Sequence, residues 1–485
     1  MFEPVIAPSA SLVGLLQRGR GDGQLHALAA DRAEAITALE FCVTHDPRAD
    51  WQVENRSLYY ARLYMELEAP LTGIEAHLRA PEDVIDQDEA RTGLALSVLG
   101  HLAAYGRRDA VDLLRGYTAT GWNWSWALDE LALRDDDQSL LSLAPAVLAR
   151  FPADPEGDAE LRAAVRGAYE PRPWRLWAAH HPRVATAGEQ SPFDLWQRQM
   201  NRGGVTPGWS TTDVLAWADQ SDQAATPAAA PDRSPEGAAR RAAAAARCLA
   251  AVVRPEDRDT VLDAARNGAP GARTAALRYL VDQGDPAAAG LIEAAAADID
   301  ERIVTAALEV LGRMRGPEAL AHARRWADPA TGGADSALGE AAVQLLADAG
   351  EPADGPLVVE ALRRWISVRG TEGAGLATLV DGAGRLAAVA AVPALRHVYG
   401  ETGSSELRGR AARALAATDP YFAQGPAVEC LWDCEESTRE LAARHVTTTG
   451  DVRVLERLRR LAADPAEEAE VHAAVRVRLT ARERP

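Results

Sequence analysis

The chain has 485 residues, 47% apolar but only 5% aromatic, and a formal net charge of -19. That length can bury a large core or several domains, and the acidic balance, present in both halves, repels polyanions and argues against a nucleic-acid partner. No lysine occurs, so all 52 positive charges are arginine, the codon bias expected of a GC-rich bacterial genome.

Four cysteines (Cys42, Cys248, Cys430, Cys434) do not make a disulfide scaffold in a chain this long. The N-terminus has no basic leader before its apolar run, so it reads poorly as a secretory signal. No stretch approaches the roughly 18 apolar residues of a membrane span. A cytoplasmic protein without a membrane partner is expected.

Helical periodicity begins with Leu12, Leu15 and Leu16, before the Gly-rich GRGDG at 19–23. Helices follow over Ala33–Thr44 and Asn55–Leu67, the second too apolar for a single stripe and so well buried. Residues 91–106 end in Gly106, Ala110–Tyr117 begins the next unit, and 122–133 pairs with 139–150. Between 151 and 219 seven prolines break the rhythm, predicting an irregular Trp-rich junction. Residues 220–238, rich in Pro, Ala, Ser and Asp, have linker composition.

From 239 the pattern becomes regular. Residues 273–286, 304–317 and 339–352 each carry a pair of alanines, a Leu, a terminal Gly and a Pro. The alanine pairs are Ala275-Ala276, Ala306-Ala307 and Ala341-Ala342, and the prolines Pro286, Pro317 and Pro352. The periods of 31 and 35 residues are those of stacked supersecondary units. Helix pairs are predicted through Glu467–Leu479, interrupted by a Gly-rich insertion at 370–384. Gly106, Gly284, Gly350 and Gly450 mark helix ends. Domains are therefore expected at 1–150 (divergent repeats), 151–219 (junction), 220–238 (linker) and 239–485 (repeats).

This pattern resembles HEAT repeats, of the short variety also found in the phycobilin-lyase-related HEAT family. The resemblance covers 240–480 and, more divergently, 25–150. It rests on the Ala-Ala-apolar-x-x-Leu blocks, the terminal Gly-Asp/Glu-Pro and the second-helix residues Arg302, Arg408 and Arg439. It implies an all-α fold, an α-α superhelix of antiparallel helix pairs whose concave face holds a partner. Repeats of this type do not by themselves fix a function.

Nine of the twelve tryptophans lie in the first 220 residues. Trp122, Trp124 and Trp126 alternate, so they cannot all point one way on a helix. Trp174 and Trp177 lie one turn apart beside Arg172 and Arg175. Clustered Trp and Arg anchor interfaces, and they also fill space where helices meet irregularly. The candidate binding set is Trp122, Trp124, Trp126, Asp129, Glu130, Trp174, Arg175 and Trp177.

Cys430 and Cys434 share a helix face, as half a metal site would, but they read better as core residues. His180-His181 reads as a loop and Asp135-Asp136-Asp137 as a solvated turn lacking the spacing of a calcium loop. No nucleotide-binding or common hydrolase motif occurs. No catalytic residue, metal or cofactor is assigned. The expected function is a non-catalytic scaffold holding a peptide or protein. The alternative is an enzyme using the repeats as a substrate cradle, as HEAT-like DNA glycosylases do with tryptophans and an essential acid, or a peptide-modifying accessory protein.

Overall fold

The computed structural model describes residues 6–45, 56–85, 89–188, 209–219, 235–331, 333–449 and 451–483. Every regular element among the described residues is an α-helix or a 3-10 turn, with no strand. The chain divides into two compact units, Met1–Trp196 with Leu395–Pro485, and Gln197–Ala394. The last helix pairs therefore share a body with the first helices, a division the repeat pattern does not reveal.

The first unit opens with α1 (Leu12–Gln17), α2 (Gly21–Ala29), α3 (Arg32–Thr44), α4 (Ser57–Glu66), α5 (Thr72–Leu78), α6 (Glu82–Ile85) and α7 (Glu89–Ala104). It continues with α8 (Arg108–Thr120), α9 (Trp124–Ala132), α10 (Asp137–Leu148), α11 (Pro155–Gly167), α12 (Arg172–Ala178) and α13 (Pro182–Gly188). The second unit holds α14 (Thr211–Ala218), α15 (Pro235–Val252), α16 (Arg258–Asn267), α17 (Pro270–Asp282), α18 (Ala288–Ala296) and α19 (Glu301–Leu311). It ends with α20 (Pro317–Trp326), α21 (Ala337–Ala349), α22 (Gly355–Arg369) and α23 (Ala374–Arg385). The first unit resumes within α24 (Val392–Glu401), at Leu395, and continues with α25 (Ser405–Thr418), α26 (Pro426–Cys430), α27 (Glu436–His445), α28 (Val452–Ala463) and α29 (Ala469–Glu483).

Most neighbouring helices pair as the sequence predicts, but α9 packs on α8 rather than on its expected partner α10, α24 makes little contact with its expected partner α25, and α22 takes the Gly-rich α23 as its partner. In the second unit α16 packs on α17, α18 on α19, α20 on α21 and α22 on α23. The second helices α17, α19, α21 and α23 also pack on one another in turn. The alanine pairs lie at those contacts: Ala275, Ala276, Ala307 and Ala342 have no exposed surface. Small side chains there let helix axes come close. In the first unit α4 lies against α7, and α7 against α9; near the C-terminus α25, α27 and α29 pack in sequence.

Helix ends follow the same local rules. Gly106 (φ +87) and Gly284 (φ +66) take the left-handed conformation. The next amide then donates back to Leu102 O (3.0 Å) or Leu280 O (2.9 Å), closing the helix. Gly350 instead ends α21 in extended backbone, φ -69, and Gly450 lies outside the described residues.

Three expectations need correction. The prolines at 155, 173 and 182 do not break helices but start α11, α12 and α13, where the missing amide hydrogen is no loss. The Gly-rich 370–384 is mostly helix α23, because Leu376, Leu379, Val380 and Ala383 are buried and tertiary packing overrides glycine's poor propensity. The GRGDG stretch opens α2. Of the linker at 220–238, residues 220–234 lie outside the described residues and α15 begins at Pro235.

Candidate functional site

The candidate tryptophans separate into two environments. Trp174 (4% exposed) and Trp177 (0%) are core residues, their rings edge-to-face at 5.0 Å, and Trp177 Nε1 donates to Leu140 O at 2.8 Å. Trp124 joins them, 6.2 Å from Trp174 and 5.9 Å from Phe151, with the Arg150 guanidinium over its ring. Arg175, on the opposite side of α12, is exposed.

Trp122 is exposed, and Trp124 and Trp126 are both partly buried. Trp122 is 43% exposed, and its backbone N–H donates to Asp83 Oδ2 at 3.0 Å. Asp83 is also reached by Tyr117 Oη at 2.6 Å and lines a cavity of about 460 Å3 with Leu78, Leu113 and Tyr117. Trp126 faces elsewhere. Its Nε1 donates to Ser97 Oγ on α7 at 3.1 Å.

Ser97 in turn donates to Glu130 Oε1 at 2.9 Å, and Arg134 holds Glu130 Oε2 at 2.6 Å. Trp126, Glu130 and Arg134 follow at i, i+4 and i+8, so they share one stripe along and just past α9. Gly100 makes room for the carboxylate: a Cβ there would meet Glu130 Oε2 at 2.0 Å. Burial pushes Glu130 above the usual carboxylate range, despite Arg134 and Ser97. Asp129 points the other way. Burial pushes it up to about 6, although it accepts the Glu170 N–H at 3.1 Å.

The row continues along α7 to α4. Burial, then the charges of Arg134 and Arg62, lowers the His101 pKa to about 4, so its imidazole is neutral at neutral pH. Burial raises the Tyr105 phenol to about 12, and that phenol donates to Asp464 Oδ1 at 3.0 Å. Arg62 on α4 donates to Asp464 Oδ2 at 2.8 Å and to Glu467 Oε2 at 3.0 Å. Trp126, Glu130, Ser97, His101, Tyr105 and Arg62 therefore form one polar band across α9, α7 and α4, ending on the acids before α29.

A buried ionic ladder, missed at the sequence level, supports that end of the band. Arg439 donates to both oxygens of Glu467 at 2.9 and 2.7 Å. Burial alone would raise Glu467, but Arg439 and Arg62 outweigh it and hold it down at about 2. Arg408 grips Asp433 at 2.7 and 3.0 Å, both side chains having no exposed surface. Within the second unit Arg273 makes a corresponding but partly exposed pair with Asp298, through a single contact at 2.7 Å. Each arginine sits early in a second helix and reaches the acid just before the next repeat's second helix. Arg302 departs from its expected place among them. It is exposed and closes on its neighbour Asp300 at 2.6 Å.

The N-terminal helices plug into this ladder. The Cys434 N–H donates to Gly19 O at 2.9 Å, Arg56 donates to Gly403 O at 3.1 Å, and Arg20 pairs with Glu429 at 2.9 Å. The Cys430 thiol lies 3.2 Å from Tyr399 Oη, and burial raises the Cys434 thiol to about 11, so both cysteines pack and bond rather than react. Asp135 is not solvated as expected: it is buried because Arg115 binds it at 2.6 and 2.8 Å. Asp136 caps α10 through the Ser139 N–H at 2.8 Å. Among the described residues no group of three or more His, Cys, Asp or Glu side chains is arranged to hold a metal, and no helix is long and apolar enough to cross a membrane.

Fold and band together define an all-α protein of paired helices carrying a half-buried polar face on successive helices. Compared with known families, with curated proteins and with solved structures, the chain matches none.

Proposed function

We propose that the helix pairs are antiparallel HEAT-like repeats stacked as a solenoid within each unit, and that the protein is a non-catalytic scaffold for a polypeptide partner. The observation that carries this reading is the band itself. Arg62, His101, Ser97, Glu130 and Trp126 cross three helices that pack side by side, α4, α7 and α9. An extended peptide lying across such helices meets a neutral imidazole, a carboxyl group and an indole in turn, the last two held in place by the buried Ser97 hydroxyl. That lining suits backbone amides and polar side chains, with Trp126 as the aromatic anchor.

Peptides selected from a random library against the full chain test the reading. Trp126→Ala and Glu130→Gln are each expected to weaken a selected peptide at least about tenfold, while Arg175→Ala leaves it unchanged. Equal binding by all three variants would remove the band from the interface.

A second reading is favoured by Trp126 and Glu130 standing one turn apart, the carboxyl raised by burial. Indole and acid are two of the three features that the HEAT-like DNA glycosylase precedent combines, the third being a cationic concave surface. Its test is release of alkylated bases from DNA by the wild type and not by Glu130→Gln. The acidic chain weighs against it.

A further inference from the structure

Arg-Arg-Trp occurs twice at the same place in successive repeats of the second unit, at 324–326 on α20 and 363–365 on α22. In the first copy the indole is only 5% exposed, and Trp326 Nε1 and Arg325 both reach Glu293, at 3.1 and 2.7 Å. In the second copy Trp365 stays half-buried. Its Nε1 donates to Glu372 O at 3.2 Å. The ring edge rests on the start of α23, where a Cβ on Gly375 would fall 2.4 Å from Cη2.

Beside this indole lies a cavity of about 200 Å3, walled by Trp365, Ala361, Val368 and Leu379 and rimmed by Asp335, Glu340, Arg364 and Arg369. The rim charges form two pairs, Arg364 with Asp335 at 2.7 Å and Arg369 with Glu340 at 3.0 Å. The Arg369 guanidinium stacks over the indole, 4.4 Å from its centroid. Gln344 Nε2 ties α21 to α23 by donating to Gly375 O at 2.9 Å. Val368 is left 74% exposed at the mouth.

We propose that this cavity binds a free α-amino acid with an apolar or aromatic side chain. Its volume is below the roughly 300–1,000 Å3 of sites for drug-sized molecules and suits one amino acid. Its rim carries two cations and two anions, so a ligand with a single charge would unbalance it. A zwitterion exchanges both ion pairs for new ones without changing the net charge: the α-carboxylate is taken by Arg364 and Arg369 in place of their acids, and the α-ammonium by the acids released. The side chain then covers Trp365, Val368 and Leu379. The site is separate from the polar band of the first unit and does not rest on the function proposed for it.

Isothermal titration of the full chain with L-leucine, L-phenylalanine and L-tryptophan tests the proposal. N-acetyl-L-phenylalanine, which keeps only the negative charge, and L-phenylalanine amide, which keeps only the positive one, serve as controls. Saturable binding of at least one free amino acid is expected, with each control weaker at least about tenfold. Arg364→Gln, Asp335→Asn and Trp365→Leu are each expected to weaken binding by a similar factor, with the circular dichroism of the wild type retained. No saturable heat up to about 10 mM ligand, or binding of either blocked form as tight as the free amino acid, overturns the proposal. Binding of the amide alone would make this a seat for a partner's cationic group and overturns it equally.

Discussion

Single side chains in this protein differ widely in what they hold. Trp177 is fully buried with its indole N–H bonded, so Trp177→Ala is expected to cost about 3–5 kcal/mol in denaturant unfolding. Trp122 is exposed and its backbone amide, which alanine keeps, makes the bond to Asp83, so Trp122→Ala is expected to cost under about 0.5 kcal/mol. Glu467 and Asp129 give opposite pH responses. Glu467 is held at about 2, below its ordinary 4.5. Its contribution to stability is therefore complete above about pH 4.5 and is lost as pH falls toward 2. Asp129 is pushed up to about 6 from 3.8, so the folded state binds the proton more tightly and Asp129 weakens the fold as pH rises across that window. Thermal unfolding against pH checks both: Glu467→Gln should flatten the fall below pH 4.5, and Asp129→Asn should remove a loss between about 4 and 6.

At the scale of elements, the ladder between repeats makes its own demand. Asp433→Asn leaves the buried Arg408 guanidinium without its counter-charge, and a cost of about 3–5 kcal/mol is expected. Replacing both partners by apolar residues should restore part of that, read as coupling in a double-mutant cycle. Two glycines with left-handed backbone separate strain from contact. At Gly106 a Cβ meets nothing within 4 Å, whereas at Gly19 it would lie 2.4 Å from Cys434 Sγ. Gly106→Ala should cost only about 1–2 kcal/mol, and Gly19→Ala more, because it also pushes the N-terminal segment off α26 and α27. Most helix pairs were legible in sequence because one apolar face per helix imposes a period and glycines end it, but the partner of α9 was not, since α8 takes the place expected of α10. Prolines misled where they cap rather than break, and Gly370–Gly384 misled because burial of Leu376 and Leu379 outweighs local propensity. The band at Trp126 was half legible: the tryptophan and acids were visible, but Ser97, His101 and Arg62 come from other helices and no local spacing announces them. Arg408 and Arg439 were visible as repeat residues, yet their partners lie 25 and 28 positions on, beyond any periodicity argument.

The two units make different demands on the chain. The second is continuous in sequence, each helix pair touching the next. The first takes its cores from both ends of the chain. Removing 395–485 would take from Arg56 and Arg62 the carbonyl and carboxylates they now contact and open that side of the N-terminal helices to water. Limited proteolysis of that truncation is expected to digest residues 6–188 while 235–394 remains protected. Equal protection of both would show that the N-terminal helices stand alone.

Arg62 and Glu467 are 405 residues apart in the chain, which has a consequence for synthesis. At about 5–20 residues per second a ribosome needs roughly 20–80 s to deliver the acid after the arginine has emerged. Throughout that interval the leading helices must wait incomplete, their charges hydrated and their apolar faces open to chaperones or to one another, while the intervening repeats are already free to settle. Late closure of the first unit, rather than any helix-forming step, would then set the pace at which newly made molecules become native.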